Sequence, residues 1–299
     1  MGLTSLCKYK AISDLTCCPC ITISIAGPYI SFGGAIFVDA FVTESFTDFI
    51  YLGGTKEKLV SLSRIFAAVA RGIATLKKFY RDLKSSPASG VPVHRLFPQP
   101  TYLPNKRRPS STLVFSSRFE YEGWEEGNYR RSLFKATYDE GTVLVKFCES
   151  YHGDAHQKLA EAEYAPKLFF CEKIQGGMTM VIMDFVKCRD AHHHFLGEDL
   201  PNYLVEEVTA AVKLLHDVDL VFGDLRRPNI LIQQKDNKLS AQLIDFEWVG
   251  IAGQARYPPY LNDSGQIVWA NGVCPYGIMK KEHDSGMIKL LNSLPKVKF

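Results

Sequence analysis

Apolar residues recur along this chain with two different periods, and the change from one to the other outlines its elements. Between residues 20 and 54 the alternation of Ile21, Ile23 and Ile25 reads as a half-buried strand, and Gly27 with Pro28, Gly33 with Gly34 and Gly53 with Gly54 mark turns between short strands. From Leu59 the spacing shifts to three and four: Leu62, Phe66, Val69, Ile73, Leu76 and Tyr80 fall on one stripe of a long helix that packs onto its own domain. Its other faces carry Lys56, Lys58, Arg64, Arg71, Lys77, Lys78, Arg81 and Lys84 against Glu57 and Asp82, which reads as a solvated basic face. Residues 84–111 are rich in proline, glycine and serine, and predict an extended linker.

Beyond the linker the pattern predicts strands at 113–121, 132–138 and 141–147, then a helix over 152–164 that stops before Pro166. The run 178–186 is nearly all apolar and reads as a buried strand. A helix starting near Asp199 places Pro201 in its first turn and buries Leu204, Val208, Ala211, Val212 and Leu215. Strands follow at 229–233 and 240–246. The expected organisation is thus an accessory region over 1–83, a linker over 84–111 and a larger domain over 112–299.

Composition narrows the class. A net charge of +3 over 299 residues does not suggest a nucleic-acid partner. The 8 cysteines are too sparse for a secreted disulfide scaffold, and point to a reducing, intracellular or cytoplasmic location. Residues 15–38 carry no charge over a length that could cross a bilayer, but Pro19, Gly27, Pro28, Gly33 and Gly34 interrupt them and alternation marks strands, so no membrane span is expected. Cys17, Cys18 and Cys20 lack a second pair for a zinc site, and His192, His193 and His194 read as an exposed loop.

The chemistry concentrates in Leu220, Val221, Phe222, Gly223, Asp224, Leu225, Arg226, Arg227, Pro228, Asn229, followed by a hairpin and then Leu243, Ile244, Asp245, Phe246. This order resembles that of protein kinases and their relatives, in which transfer of a γ-phosphoryl group needs positioning and charge neutralisation more than covalent help. A carboxylate must meet the acceptor hydroxyl while further oxygen ligands hold magnesium on the phosphates. Asp224 and Asn229, five apart on one loop, with Asp245 returned by the hairpin, suit that task.

This order of elements resembles the catalytic loop and metal-binding aspartate of the protein-kinase-like superfamily. The resemblance implies Asp224 as the base, Arg226 as a partner of the transferred phosphate, Asn229 and Asp245 as magnesium ligands, and Lys146 on its strand as the grip on the other phosphates of ATP. It also implies a hinge at Met183, Asp184 and Phe185 holding adenine through backbone bonds. With Gly27 and Pro28 upstream, Ala165, Pro166 and Leu168, and Asp245 to Trp248, the chain further resembles divergent kinase-like proteins of mushroom-forming fungi. The implied fold is α+β: a two-lobed kinase-like domain with a reduced C-terminal lobe, preceded by a small α/β region. The implied activity is ATP- and Mg2+-dependent transfer to a hydroxyl-bearing acceptor, first a Ser/Thr protein kinase. The alternatives are a small-molecule kinase of the choline or aminoglycoside type, and an inactive binding module.

Four departures stand out. Phe222 stands where the catalytic loop of kinases usually has His or Tyr, Glu247 replaces the glycine of the metal-binding turn, the segment 123–127 lacks the usual glycine spacing, and the helix position that normally holds the lysine's carboxylate partner is His156, with Asp154, Glu161 and Glu163 as other candidates.

Overall fold

The structure is a computed structural model, and it describes residues 12, 15–37, 41–83, 97, 113–119, 132–138, 141–174, 177–235, 237–262 and 267–292. Residues 84–111, Phe97 apart, and the segment 123–127 lie outside the described residues. Contacts divide the chain into two units, Met1–Pro98 and Gln99–Phe299.

In the first unit β1 (Cys20–Ala26) and β2 (Tyr29–Phe37) form an antiparallel hairpin whose turn uses Gly27 at φ +57°. Strands β3 (Phe41–Ser45) and β4 (Ile50–Tyr51) both pair with β2. Gly33 and Gly34 correct the sequence reading: they sit inside β2, not at a turn. A Cβ on Gly33 would come within 2.6 Å of the Glu44 carbonyl oxygen, and one on Gly34 within 2.5 Å of the Phe46 ring, so close strand approach requires these glycines.

Helix α1 (Lys56–Asp82) starts at Thr55, whose hydroxyl accepts from the Lys58 N–H at 3.5 Å. Its stripe Leu62, Val69, Ile73, Leu76 and Tyr80 is half-buried. Phe66 meets Phe32 edge-on at 5.4 Å, and Tyr80 donates to the Pro19 carbonyl at 2.8 Å. By length and composition alone α1 is apolar enough to cross a membrane. That property belongs to α1, whereas the uncharged stretch singled out in the sequence forms β1 and β2.

The second unit opens on an antiparallel sheet in the order β5 (Val114–Arg118), β6 (Ser132–Tyr138), β7 (Gly141–Cys148), β9 (Thr179–Asp184), β8 (Leu168–Lys173). In β7 the buried Val143 and Val145 alternate with Leu144 and Lys146, so the lysine shares its face with Leu144 and Cys148. Strand β9 is buried from Thr179 to Met183, as an apolar run flanked on both sides requires. Strand β8 was not legible: after Pro166 its short run reads equally as loop, and pairing with β9 decides it.

Helix α2 (Gly153–Glu161) lies between β7 and β8. After β9 come β10 (Arg189–Asp190), a single-turn α3 (Ala191–His194) and α4 (Asn202–His216), preceded by Pro201. The expected histidine loop is therefore corrected. Asp190, 3% exposed, caps α3 by accepting from the His193 N–H at 3.0 Å and also holds the His193 ring, so that a buried carboxylate folds the segment into a helical turn. Helix α4 buries the five residues read from its pattern, against Leu159, Phe222, Leu225, Ile230 and Phe246. The remaining elements are β11 (Leu220–Val221), a 3-10 turn at Arg227–Asn229, β12 (Ile230–Lys235), β13 (Lys238–Leu243), β14 (Gly250–Ile251) and α5 (Lys281–Leu290). Strand β12 pairs with both β10 and β13, and β11 with β14.

Candidate active site

The β12–β13 hairpin delivers Asp245 to Lys146. The lysine Nζ lies 2.8 Å from Asp245 Oδ1 across a sequence separation of 99, and it also contacts Glu247 Oε1. Lys146 is only 8% exposed, and an unpaired ammonium there would cost several kcal/mol or lose its proton. Burial does lower its affinity for the proton, but Asp245 and Glu247 outweigh burial and leave its pKa above the ordinary lysine value. Lys146 is therefore a protonated cation. Asp245 adopts φ +72°, the left-handed region that aspartate tolerates better than most residues. The strained turn follows the Ile244 N–H, which donates to the Asn229 carbonyl at 3.0 Å and so ties the turn to the segment at 224–229.

That segment is held internally. Arg226 grips Asp224 with a fork, Nε to Oδ1 at 2.5 Å and Nη2 to Oδ2 at 2.8 Å. Asn229 donates its amide nitrogen to the Asp224 carbonyl at 2.8 Å and to Oδ2 at 2.9 Å. This commits the Asn229 nitrogen and leaves its amide oxygen as the donor available to a cation. The guanidinium of Arg226 also stacks over Trp269 at 5.5 Å. Arg227 points away from the site and fastens the loop by donating to the carbonyls of Leu291, Phe195 and Glu198.

Beneath the loop lies Asp284 of α5, 1% exposed. It accepts from the Phe222 N–H at 2.8 Å, the Gly223 N–H at 3.0 Å and His216 Nε2 at 3.0 Å. Gly223 needs this support because it sits at φ +85°, where a Cβ would fall 2.1 Å from Met279 Cε. In the sequence, Asp284 falls within the reduced C-terminal lobe and no motif marks it. The stronger signal is that Asp284 shares its helix face with Met287, Ile288 and Leu291, and a carboxylate on an apolar stripe marks a buried acceptor.

Helix α2 reaches the site without a carboxylate. His156, fully buried, stacks flat on Phe246 with ring centroids 4.6 Å apart and planes at 3°. Its Nε2 donates to the Pro166 carbonyl at 2.7 Å and its Nδ1 accepts from the Tyr151 hydroxyl at 2.9 Å. Burial pushes its pKa down to about 4, against a smaller opposing effect of the Pro166 bond, so the ring is neutral near pH 7. Of the carboxylates considered for the lysine's partner, Glu161 accepts from Gln157 at 2.8 Å instead. Among the described residues the carboxylates in ion-pair reach of Lys146 are Asp245 and Glu247.

Of the expected hinge, Met183 and Asp184 end β9 and Phe185 follows it. The Asp184 N–H donates to the Lys167 carbonyl at 2.8 Å and the Phe185 N–H to Thr142 at 3.3 Å, while Met183 is buried within the sheet. Those two amides are thus engaged by the protein itself. The described residues hold no cluster of three or more histidines, cysteines or carboxylates of metal-binding geometry. The donor set Asp245 and Asn229 is nevertheless oxygen-based, and magnesium is commonly held by one or two such ligands completed by phosphate and water.

The chain is similar in part to known kinases. A family model described as the lipopolysaccharide kinase (Kdo/WaaP) family matches residues 172–251. A stretch of 70 residues is 35% identical to testis-specific serine/threonine-protein kinase 2 of Mus musculus, covering 23% of this chain and 18% of that kinase. In three dimensions the chain is similar to the kinase PK-1 of Cydia pomonella granulovirus, with a TM-score of 0.46 and 14% identity over 60% of this chain and 67% of that one. The family match takes in Asp224, Asn229, Asp245 and Glu247, and begins after Lys146.

Proposed function

We propose that the domain over 112–299 is a protein-kinase-like phosphotransferase that uses ATP and Mg2+ to phosphorylate Ser or Thr hydroxyls of a protein acceptor. The sheet carrying Lys146 acts as the small lobe, and the helical part carrying Asp224 as a reduced large lobe. The observation that carries this reading is the meeting of Lys146 with Asp245 from 99 residues away, beside an Asp224 already oriented by Arg226 and Asn229. The family match and the local likeness to a serine/threonine kinase support it.

In this reading Asp224 accepts the proton of the attacking hydroxyl as its oxygen bonds to phosphorus, and Arg226 exchanges part of its grip on Asp224 for the transferred phosphate. Lys146 holds phosphate oxygens not being transferred. Asp245 and the amide oxygen of Asn229 hold the magnesium, which when bound neutralises charge on the phosphates. Asn229 also keeps the Asp224 carboxylate aimed, through its nitrogen. The 8 cysteines, sparse for a chain of 299 residues, suit a reducing, intracellular setting.

The match to a family described as lipopolysaccharide kinases favours a second reading, in which the acceptor hydroxyl belongs to a small molecule or glycan. The test is phosphate transfer from radiolabelled ATP by the full chain with magnesium, against a protein mixture and against a panel of sugar and amino-alcohol acceptors. Labelled protein that disappears in Asp245→Asn supports the first reading, and label confined to small acceptors supports the second. Absence of transfer with retained nucleotide binding would leave the inactive-module reading.

A further inference from the structure

Lys146 has a second carboxylate partner that the resemblance does not account for. A kinase lysine of this kind is normally positioned by a glutamate on the helix that follows its strand. In this chain that helix, α2, presents His156, neutral and stacked on Phe246. Lys146 instead contacts Glu247, two residues beyond Asp245 and in the position where the turn usually has glycine.

The turn bearing Glu247 is fastened directly to the start of α2. The His152 N–H donates to the Phe246 carbonyl at 3.1 Å, Ser150 Oγ donates to the Glu247 carbonyl at 3.3 Å, and the His156 ring covers Phe246. Helix and turn therefore move as one piece, and a carboxylate mounted on the turn can take over what a carboxylate on the helix would do. The side chains of Lys146, Asp245 and Glu247 are 10%, 16% and 32% exposed, so the lysine is the most enclosed of the three, while Glu247 closes its solvent side. The division of labour is also electrostatic. If Asp245 is committed to a cation, a single acidic partner would leave Lys146 without a positioning carboxylate, and Glu247 supplies it.

We propose that Glu247 is the positioning residue for Lys146, replacing the helix carboxylate, and that α2 transmits its position to the lysine through the Phe246–Glu247 turn instead of through an ion pair of its own. This rests on the phosphotransferase reading for its consequence, but the pairing itself is tested without nucleotide.

The experiment is a double-mutant cycle in the full chain, with Lys146→Met, Glu247→Gln and the pair, measured by urea unfolding in the absence of nucleotide. If the two side chains are coupled, the unfolding constant of the double variant falls short of the product of the single effects by about fivefold or more. Additive effects overturn the proposal outright. The second measurement is binding of a fluorescent ATP analogue with magnesium, alongside the KM for ATP. Glu247→Gln is expected to raise the analogue's Kd and the KM for ATP by about tenfold while kcat changes by less than about threefold, and Glu247→Asp, which keeps the charge, to recover part of the loss. A coupled cycle with unchanged nucleotide affinity in Glu247→Gln overturns the positioning role. A parent protein that binds no nucleotide removes the phosphotransferase reading alone, because the cycle still decides whether Glu247 holds Lys146.

Discussion

The two halves of the site are built in opposite ways. Around Asp224 the chain is nearly self-sufficient: Arg226 and Asn229, within five residues, satisfy both carboxylate oxygens. Around Lys146 the charged partners are distant: Asp245 arrives from 99 residues away on the turn after β13, with Glu247 two residues beyond it, and the helix beside it contributes a stacked ring. A loop that satisfies itself keeps its geometry wherever it is placed, whereas a buried lysine has a defined position only when the sheet, the hairpin and α2 are all assembled. Chemistry should therefore fail through residues of the first half with the fold intact, and assembly should fail through residues that join the halves.

The largest expected effect breaks the comparison at the point where the halves share a task. Asp245→Asn should reduce magnesium-dependent transfer by about 10³-fold or more, because it removes charge from both the cation site and Lys146. Asp224→Asn should cut kcat by roughly 10²–10⁴-fold with nucleotide affinity largely kept, as removal of a general base does. Single-turnover rates and nucleotide binding on both variants check this. Equal loss of binding in the two would mean that the halves are not separable.

The support beneath the loop comes next. Asp284→Ala leaves the Phe222 and Gly223 amides buried without their acceptor, and should destabilise the protein by about 3 kcal/mol, at roughly 1–3 kcal/mol for each unsatisfied group. Denaturant unfolding checks it, and a loss under about 1 kcal/mol would show that the loop does not need this anchor.

A pH experiment probes the stacked ring. His156 has a folded pKa of about 4 against about 6.5 when unfolded, so the unfolded chain binds the extra proton between those values and stability falls as pH drops through that window. The loss should reach about 2–4 kcal/mol by pH 4 and be absent above about pH 7. His192 and His283, whose pKa values burial also lowers, act in the same direction, so His156→Gln isolates the contribution by flattening the profile in part. An unchanged slope in that variant would remove His156 as the cause.

The smallest effect serves as a control. Lys281 and Asp219 pair at 2.6 Å on the surface, and Lys281→Ala should leave both melting temperature and transfer rate unchanged within error.

How much of this could be read beforehand follows the same division. The buried face of α4 is residue for residue the one its spacing predicts, because a helix in contact with a core on one side repeats that contact every three to four positions. Strand β6 and the nearly all-apolar β9 were equally legible. The glycines of β2 and the short helix at 191–194 were misread, since a glycine used for close approach looks like a glycine used for a turn, and a run of histidines carries no period. The residues Asp224, Asn229, Asp245 and Lys146 were identifiable as types at a spacing.

By itself the sequence determined the elements whose residues repeat with a period, and the loop at 224–229 whose partners lie within a few positions, because both depend on short-range geometry that the chain carries wherever it goes. The tertiary structure alone decided that Glu247 meets Lys146, that His156 lies neutral on Phe246, and that Asp284 holds the loop from below. Each of these joins side chains through space across long separations. A buried charge or ring is defined by the partners that folding brings to it, and no local pattern records which partners those will be.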